Sequence, residues 1–454
     1  MSETPQPLNT QQPIASPNVI IVGGGFAGLY AARALATAPV NVTLIDKNNF
    51  HLFQPMLYQV ATGELPADDI AAPLRAILAK QKNTEVLMAE VTGVDVENRQ
   101  VDISGRTLPY DSLILATGSH YNYFGHPEWQ QIAPSLKTVD DALTMRGKVL
   151  QAFEAAEVEA AKPDPDHARV QMLLTFVLVG AGPTGIELAG SIQELIDKTL
   201  AHEFRHINVK SAKVIIVEAA DRIMAAFPED VASRTKAHLE QMGIEIRLKA
   251  KVEDVTEDGI SVDGKHLPAR TVLWTAGTVG SDAAKWVGAE TEKDGRAKVG
   301  PDLSVSGHPE IFILGDTAAV TAPATNLFGI PKPDPMMMPG LAPPAMQEGS
   351  YVAKVIRRRA KNLPAPPPFT YWDKGNLAQV SRGFAVADLG FAKFVGFFAW
   401  LMWLGIHIFY LIGYGNRLLV MLRWAVTVLT SQRGDRLLPQ NAAPDVPKPA
   451  PQPA

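Results

Sequence analysis

There is no cysteine anywhere in the 454 residues. That absence excludes disulfide frameworks, thiolate-held iron–sulfur clusters and zinc ribbons. It also excludes redox chemistry that stores electrons in a dithiol or a sulfenic acid. Any electron transfer by this chain therefore needs an organic cofactor. A basic excess is lacking too, since 42 Lys and Arg stand against 47 Asp and Glu, a net charge of -5. A nucleic-acid partner, which normally meets a strongly basic face, is not expected. Residues 1–18 have neither the basic start and apolar core of a secretory signal nor the arginines of a transit peptide. The folded part is expected to stay in the compartment of synthesis. With 46% apolar and 20% charged residues the chain is globular over most of its length. Only the Pro/Gln-rich residues 1–17 and the Pro-rich tail 437–454 are expected to be disordered.

What is present is a local grammar used twice. Val19-Ile20-Ile21-Val22 runs into Gly23-Gly24-Gly25-Phe26-Ala27-Gly28, then a helix-favouring stretch from Leu29, then Val42 to Ile45 ending at Asp46. Phe176 to Val179 likewise meets Gly180-Ala181-Gly182-Pro183-Thr184-Gly185, a helix from Ile186 to Leu195, and a strand from Lys213 to Val217 ending at Glu218. Strand, glycine turn, helix, strand and terminal acid define a βαβ dinucleotide unit. Gly23 and Gly180 permit the tight turn, Gly25 and Gly182 let backbone amides approach a pyrophosphate, and Gly28 and Gly185 allow close helix–strand packing. Partial positive charge at each helix N-terminus favours phosphate. Asp46 and Glu218 can accept hydrogen bonds from ribose hydroxyls. A carboxylate at Glu218 favours the free 2′-hydroxyl of NADH over the 2′-phosphate of NADPH, and nearby Arg222 is a counter-charge that softens the preference. Two fingerprints imply two dinucleotides, a bound flavin and a diffusing nicotinamide.

Further apolar runs end in Ala116-Thr117-Gly118, in Ala276-Gly277 and in Gly315-Asp316. The second unit is therefore expected to be inserted in the first, which resumes near Arg296 and closes near Ala387. From Phe394 to Gly415 lies an apolar run of about 22 residues without Asp, Glu, Lys or Arg. It is long enough for a single transmembrane helix. Yet Trp400, Trp403, Tyr410 and Tyr414 are scattered through it instead of gathering at its ends, and Arg417 and Arg423 follow. That pattern suits helices lying in the membrane interface, so both arrangements stay open. Arg357, Arg358, Arg359 and Lys361 can add attraction to anionic lipid. His51 and His407 have no partner at ligand spacing and are read as structural, with no metal site.

The chain resembles the type II NADH:quinone oxidoreductases, alternative NADH dehydrogenases of the two-dinucleotide-domain flavoproteins. The matching runs are 18–35, His51 to Gly63, Gly180 to Gly190, Ile313 to Asp316, Ala342 to Gly349 and Asp373 to Ala378. The resemblance implies an α/β fold of two Rossmann-like domains in a glutathione-reductase-like architecture, plus C-terminal apolar membrane-anchoring helices. The implied organisation is an FAD-binding domain over 18–140 and 296–387, an NADH-binding domain over 141–295, and anchoring helices over 388–436. It implies hydride transfer from NADH to FAD and then two electrons to a membrane quinone, without proton pumping. A homodimer at the cytoplasmic face of the cell membrane, in contact with lipid, is also expected.

The implied roles fall residue by residue. Asp316 looks like the acid at the ribityl–phosphate part of FAD, and Thr117 and Gly118 like the turn passing that cofactor. Gly277 looks like its counterpart for NADH. Glu187 looks like the carboxylate between nicotinamide and flavin, although an acid in the first turn of a helix is favoured by the helix dipole alone. Gln347 looks like the glutamine near the isoalloxazine ring and quinone head. Lys374 looks like a cation steadying negative charge on the reduced flavin. Pro343 departs from the pattern, since many relatives carry a second glutamine there. Two other functions remain open: a soluble flavoprotein reductase feeding a small protein acceptor, and a membrane-bound flavin- or NADH-binding protein without turnover.

Overall fold

A computed structural model describes residues 16–430 and 433–438. The ends expected to be disordered, apart from residues 16, 17, 437 and 438, lie outside the described residues. In chain order, the strands of the two main sheets begin with β1 (Asn18–Val22), β2 (Asn41–Asp46), β3 (Thr84–Met88) and β4 (Ser112–Leu115). Next come β5 (Thr175–Val179), β6 (Lys213–Val217), β7 (Glu245–Arg247) and β8 (Thr271–Trp274), and last β9 (Ser304–Val305) and β10 (His308–Ile313). The first sheet has the order β9-β10-β4-β1-β2-β3 and the second β7-β6-β5-β8. The two therefore share one arrangement, third strand beside second, second beside first, first beside fourth, all parallel. β10 pairs in parallel with β4, so the first sheet is completed by chain that follows the second.

Parallel strands covered on both faces read as unbroken apolar runs, and Val19 to Val22, Leu113 to Leu115 and Phe176 to Val179 are all buried. The helices that pack on these sheets include α1 (Phe26–Ala34), α3 (Val139–Ala160) and α4 (Pro183–Glu194), and the short α2 (Leu57–Ala61) packs on α3 and α4. A further helix, α5 (Ala342–Ala360), crosses α1 so closely that a Cβ on Gly349 would stand 2.1 Å from the Ala27 carbonyl oxygen. An antiparallel sheet of β11 (Asn376–Ser381), β12 (Phe384–Asp388) and β13 (Lys393–Gly396) follows.

The apolar run Phe394–Gly415 is not one helix, which corrects the single-span alternative. Its first residues lie in β13, and Gly396 turns the chain at φ +100°. Then come α6 (Phe397–Tyr410), a break at residues 411–413 with Gly413 at φ +97°, and α7 (Tyr414–Thr430). The 14 residues of α6 reach about 21 Å, short of a hydrocarbon core of about 30 Å. Among the described residues no helix is long and apolar enough to cross a membrane.

Both helices have two apolar faces. Ala399, Trp403, Val420 and Trp424 are buried against the protein, whereas Phe398, Phe409, Leu422 and Leu429 are exposed. Trp400 and Trp403, expected to mix through an interface, are buried instead. Arg417 donates to the Leu411 and Phe409 carbonyls at the C-terminal end of α6, and Arg423 pairs with Asp69. Arg357, Arg358 and Arg359 donate to the Ala34, Pro364 and Pro309 carbonyls.

Beyond α7 the chain returns to the body. Arg433 is 1% exposed and donates to the Thr62 carbonyl at 3.0 Å and the Ser191 hydroxyl at 3.2 Å, with Glu194 at 3.7 Å. Asp435 pairs with Arg146, and Arg436 with Glu203. Replacing Arg433 with Met would leave Glu194 buried without this cation. Because Glu194 keeps Lys198 at 2.9 Å while the Thr62 carbonyl and the Ser191 hydroxyl lose this donor, the folded state is expected to lose about 1–3 kcal/mol. Chemical denaturation measures it, and an unmoved midpoint would show that Arg433 is not buried in solution.

Candidate functional site

The two glycine turns are built alike. Gly23 and Gly180 sit at φ +102° and +106°, where a side chain is disfavoured. A Cβ on Gly28 would stand 1.9 Å from the Gly23 carbonyl oxygen, and on Gly185 2.1 Å from that of Gly180. At Gly25 and Gly182, the N-caps of α1 and α4, a Cβ would meet nothing within 4 Å, and no side chain caps either helix. Bare backbone amides at a helix start, with open space before them, fit a pyrophosphate. Both turns can therefore hold the dinucleotides that the paired fingerprints imply.

The terminal acids also match. Asp46 accepts from the Gly24 amide at 2.6 Å and the Asn48 amide at 2.7 Å. Glu218 accepts from the Ala181 amide at 2.7 Å and the Ala220 amide at 2.8 Å. Each acid thus grips the middle residue of its own glycine turn. Burial raises the pKa of Asp46, and the hydrogen bonds from Gly24 and Asn48 oppose that shift. A carboxylate accepts about four hydrogen bonds, so both acids keep capacity for a ribose. Arg222 donates to the Ala225 carbonyl at 2.7 Å. His51 donates from Nδ1 to the Gly24 carbonyl at 2.9 Å, and burial lowers its pKa to about 4, leaving a neutral ring that braces the first turn.

Thr117-Gly118 and Ala276-Gly277 occupy equivalent turns after β4 and β8, with Gly118 at φ +75° and Gly277 at +66°. The chains leaving them pair with each other, Ser119 opposite Gly280, and so tie one module to the other. Thr117 shares its hydroxyl with Ser281 and Thr317. Asp316 follows β10 and accepts from the Ser119 hydroxyl at 2.8 Å, with Lys137 at 3.3 Å.

Glu187, Gln347 and Lys374 come from distant parts of the chain and meet on one stretch, residues 372–379. Glu187 accepts from the Gln379 amide at 3.3 Å. Gln347 holds Trp372 by both ends of its amide, donating to the carbonyl at 2.9 Å and accepting from the N–H at 2.9 Å. Lys374 donates to the Tyr410 hydroxyl at 2.7 Å and lies 4.6 Å from the centre of the Trp372 ring. Helix α4 begins at Pro183, so Glu187 lies beyond the first turn where it was expected, and the dipole account weakens. Glu187 is partly buried, and loss of solvation pushes its pKa up to about 8. Pro343 stands at the start of α5, a position that needs no N–H partner.

Several neighbours escaped the sequence reading. Trp372 and Gln379 flank a run that was recognised, and Glu348 lies inside another. Glu348 is buried, accepts from the Gly315 amide at 2.7 Å, and burial pushes its pKa up to about 7. Lys137 and Ser281 carry no local signal, and Tyr410 was read only as one of the scattered aromatics, because only tertiary folding brings these residues here.

Two glycine cradles joined at their crossover turns define a flavoprotein built to face two dinucleotides. The chain belongs to the pyridine nucleotide-disulphide oxidoreductase family, whose model matches residues 17–349. Without cysteine it lacks that family's disulphide. Within the family it belongs with the type II NADH:quinone oxidoreductases. It is 42% identical over 446 residues to Ndh of Mycobacterium tuberculosis, covering 95% of this chain and 92% of that one. NdhA of the same organism is also 42% identical, over 92% and 88% of the two chains. In fold, the chain is similar to NDH2 of Plasmodium falciparum, with a TM-score of 0.80 at 20% identity, covering 92% of this chain and 99% of that one.

The elevated Glu187 pKa has a signed consequence. The folded protein holds this proton up to about pH 8, whereas the ordinary carboxyl value is 4.5. The folded state therefore binds more protons than the unfolded one across that window, and stability falls as pH rises through it. Glu187→Gln is expected to flatten this decline between pH 4.5 and 8. Denaturation midpoints across the range check it, and an unchanged slope would assign the decline to other groups.

Proposed function

We propose that the chain couples NADH oxidation to quinone reduction, NADH + H⁺ + quinone → NAD⁺ + quinol, with FAD on the Gly23–Gly28 turn and NADH on the Gly180–Gly185 turn. The observation carrying this reading is the convergence of Glu187, Gln347 and Lys374 on residues 372–379. FAD, when bound, supplies the two-electron relay between nicotinamide and quinone. In this reading the FAD domain comprises residues 18–140 and 296–387, and the NADH domain 141–295.

The chain's own groups then divide the work. Asp46, Thr117, Gly118 and Asp316 line the first dinucleotide, and Glu218 and Gly277 the second. With its pKa raised by burial, Glu187 holds a proton at Oε and can release it as a nearby nicotinamide gains positive charge. Lys374 places a cation where negative charge accumulates, and the Tyr410 hydroxyl fixes its ammonium. Gln347 holds Trp372 beside it.

Attachment is assigned to the outer face of α6 and α7, lying in the interface of a membrane on the cytoplasmic side. Phe398 and Leu429 are 75% and 84% exposed there, and large exposed apolar side chains gathered on two successive helices mark an interaction site. Quinone dissolved in lipid reaches the site from this side, and we propose a homodimer as the working form.

Deleting residues 391–436 would remove buried Trp403 and Arg433 together with the exposed face, so substitutions on that face are the cleaner probe. Phe398→Ser with Leu429→Ser is expected to release the protein from vesicles while NADH oxidation by a soluble acceptor persists. Full-length protein that shows no quinone-dependent NADH loss would end this reading. Separately, Glu218→Ala is expected to narrow the NADH over NADPH ratio of kcat/KM by on the order of tenfold, since the 2′-phosphate no longer meets a carboxylate. An unchanged ratio would remove Glu218 from that role.

A further inference from the structure

A second exposed apolar feature lies outside the C-terminal helices, on the turn at residues 326–330. The turn is closed by its own backbone, the Asn326 amide donating to the Ile330 carbonyl at 2.8 Å and the Gly329 amide to the Asn326 carbonyl at 2.9 Å. The Asn326 side-chain oxygen accepts from the Phe328 and Ile330 amides, each at 3.0 Å, and Gly329 takes φ +77°. The Lys332 amide donates to the Ala324 carbonyl at 2.8 Å and closes the base. This bonded turn holds Phe328 65% exposed and Ile330 59% exposed at its tip. A soluble surface gains nothing from two large apolar side chains fixed outward on a preformed turn.

Two connections say what covers them. The Phe328 ring lies 4.8 Å from that of Phe391, itself 52% exposed. Phe391 leads through β13 and exposed Phe394 into α6, where Phe397 and Phe398 are exposed in turn. The turn thus extends the surface already assigned to lipid. On its inner side, the Trp372 indole N–H donates to the Leu327 carbonyl at 3.2 Å, and Trp372 is the residue that Gln347 grips and Lys374 overlies. Lys332 pairs with Asp373 beside them.

We propose that the 326–330 turn is a lipid-dipping finger, with Phe328 and Ile330 inserted in the membrane interface at the lip of the path to Gln347 and Lys374. The inference rests on the membrane-quinone reading above and adds a second point of contact to it. With α6 and α7 on one side and the finger on the other, the mouth faces hydrocarbon, and a quinone enters without crossing water. Trp372, bonded to both finger and site residues, keeps that mouth in register.

The absence of cysteine makes the test clean, because one introduced thiol is the only one available for labelling. Phe328→Cys, Ile330→Cys, Phe398→Cys and Asp258→Cys, the last on an exposed turn of the second module, are each coupled to a polarity-sensitive nitrobenzoxadiazole dye. Vesicles of phosphatidylcholine and phosphatidylglycerol are then added to the FAD-loaded protein. Labels at 328, 330 and 398 are expected to shift to the blue and brighten, and the label at 258 to stay aqueous. A response at 398 with silence at 328 and 330 overturns the finger and leaves helix attachment standing. Silence at all three overturns membrane attachment itself. A shift at 328 that needs protein concentration instead of vesicles makes a second copy the occupant and also overturns the proposal. Phe328→Ser with Ile330→Ser is expected to weaken vesicle binding on the order of tenfold. It should also raise the KM for a lipid-soluble quinone while kcat with a soluble acceptor holds.

Discussion

Helix α4 lies so close to strand β11 that a Cβ on Gly190 would stand 1.8 Å from the Val380 carbonyl oxygen. Only a residue without a side chain permits that approach, and the site geometry follows from it. Glu187 sits one turn earlier on the same helix, three residues away and so on the same face, which brings its carboxyl to the Gln379 amide. From Gln379 the chain runs back through Gly375 at φ +84° to Lys374 and Trp372. A Cβ on Gly375 would stand 2.2 Å from the Asp388 carbonyl oxygen, so this stretch is pressed against its neighbour strand as well. Three functional candidates are therefore registered by a few residues of backbone held at two glycine contacts.

The electrostatics follow from the same packing. Glu187 and Glu348 both lose solvation, and their pKa values move up to about 8 and about 7. Glu348 is bonded to the Gly315 amide, which fixes the turn that presents Asp316. Glu187 has only the longer bond to Gln379 and a partly open surface, so it is the carboxyl free to respond to a ligand. On the proposed reading the two acids thus serve different ends, one bracing a cofactor turn and the other meeting the nicotinamide.

Local order was largely readable from the residues. Both glycine turns, their flanking strands and their terminal acids are patterns within one continuous βαβ stretch each, and the structure builds the two turns alike. Readings that needed tertiary information fared less well. Glu187 was assigned to a first turn because the helix start at Pro183 was placed three residues late. Trp400 and Trp403 were read as interfacial, yet their side of α6 faces the protein. Arg433 resembled any tail arginine, although it is among the most buried polar residues, because nothing within its own segment reports Thr62, Ser191 or Glu194.

The apolar C-terminal run shows why hydropathy misleads here. A span buries an apolar cylinder in lipid, whereas α6 and α7 divide theirs between protein and outside, so composition alone gives the same signal for both. The division has a mechanical result. Trp424 donates to Gln59, Arg423 pairs with Asp69, and Tyr410 holds the Lys374 ammonium. Arg433 then bonds Thr62 and also Ser191, which lies in the helix that carries Glu187. The pair of helices is accordingly built into the site wall at both ends instead of being tethered to it. On the proposed reading, seating this surface on lipid would fix Glu187, Gln347 and Lys374 relative to the lipid plane, and a flexible anchor would not.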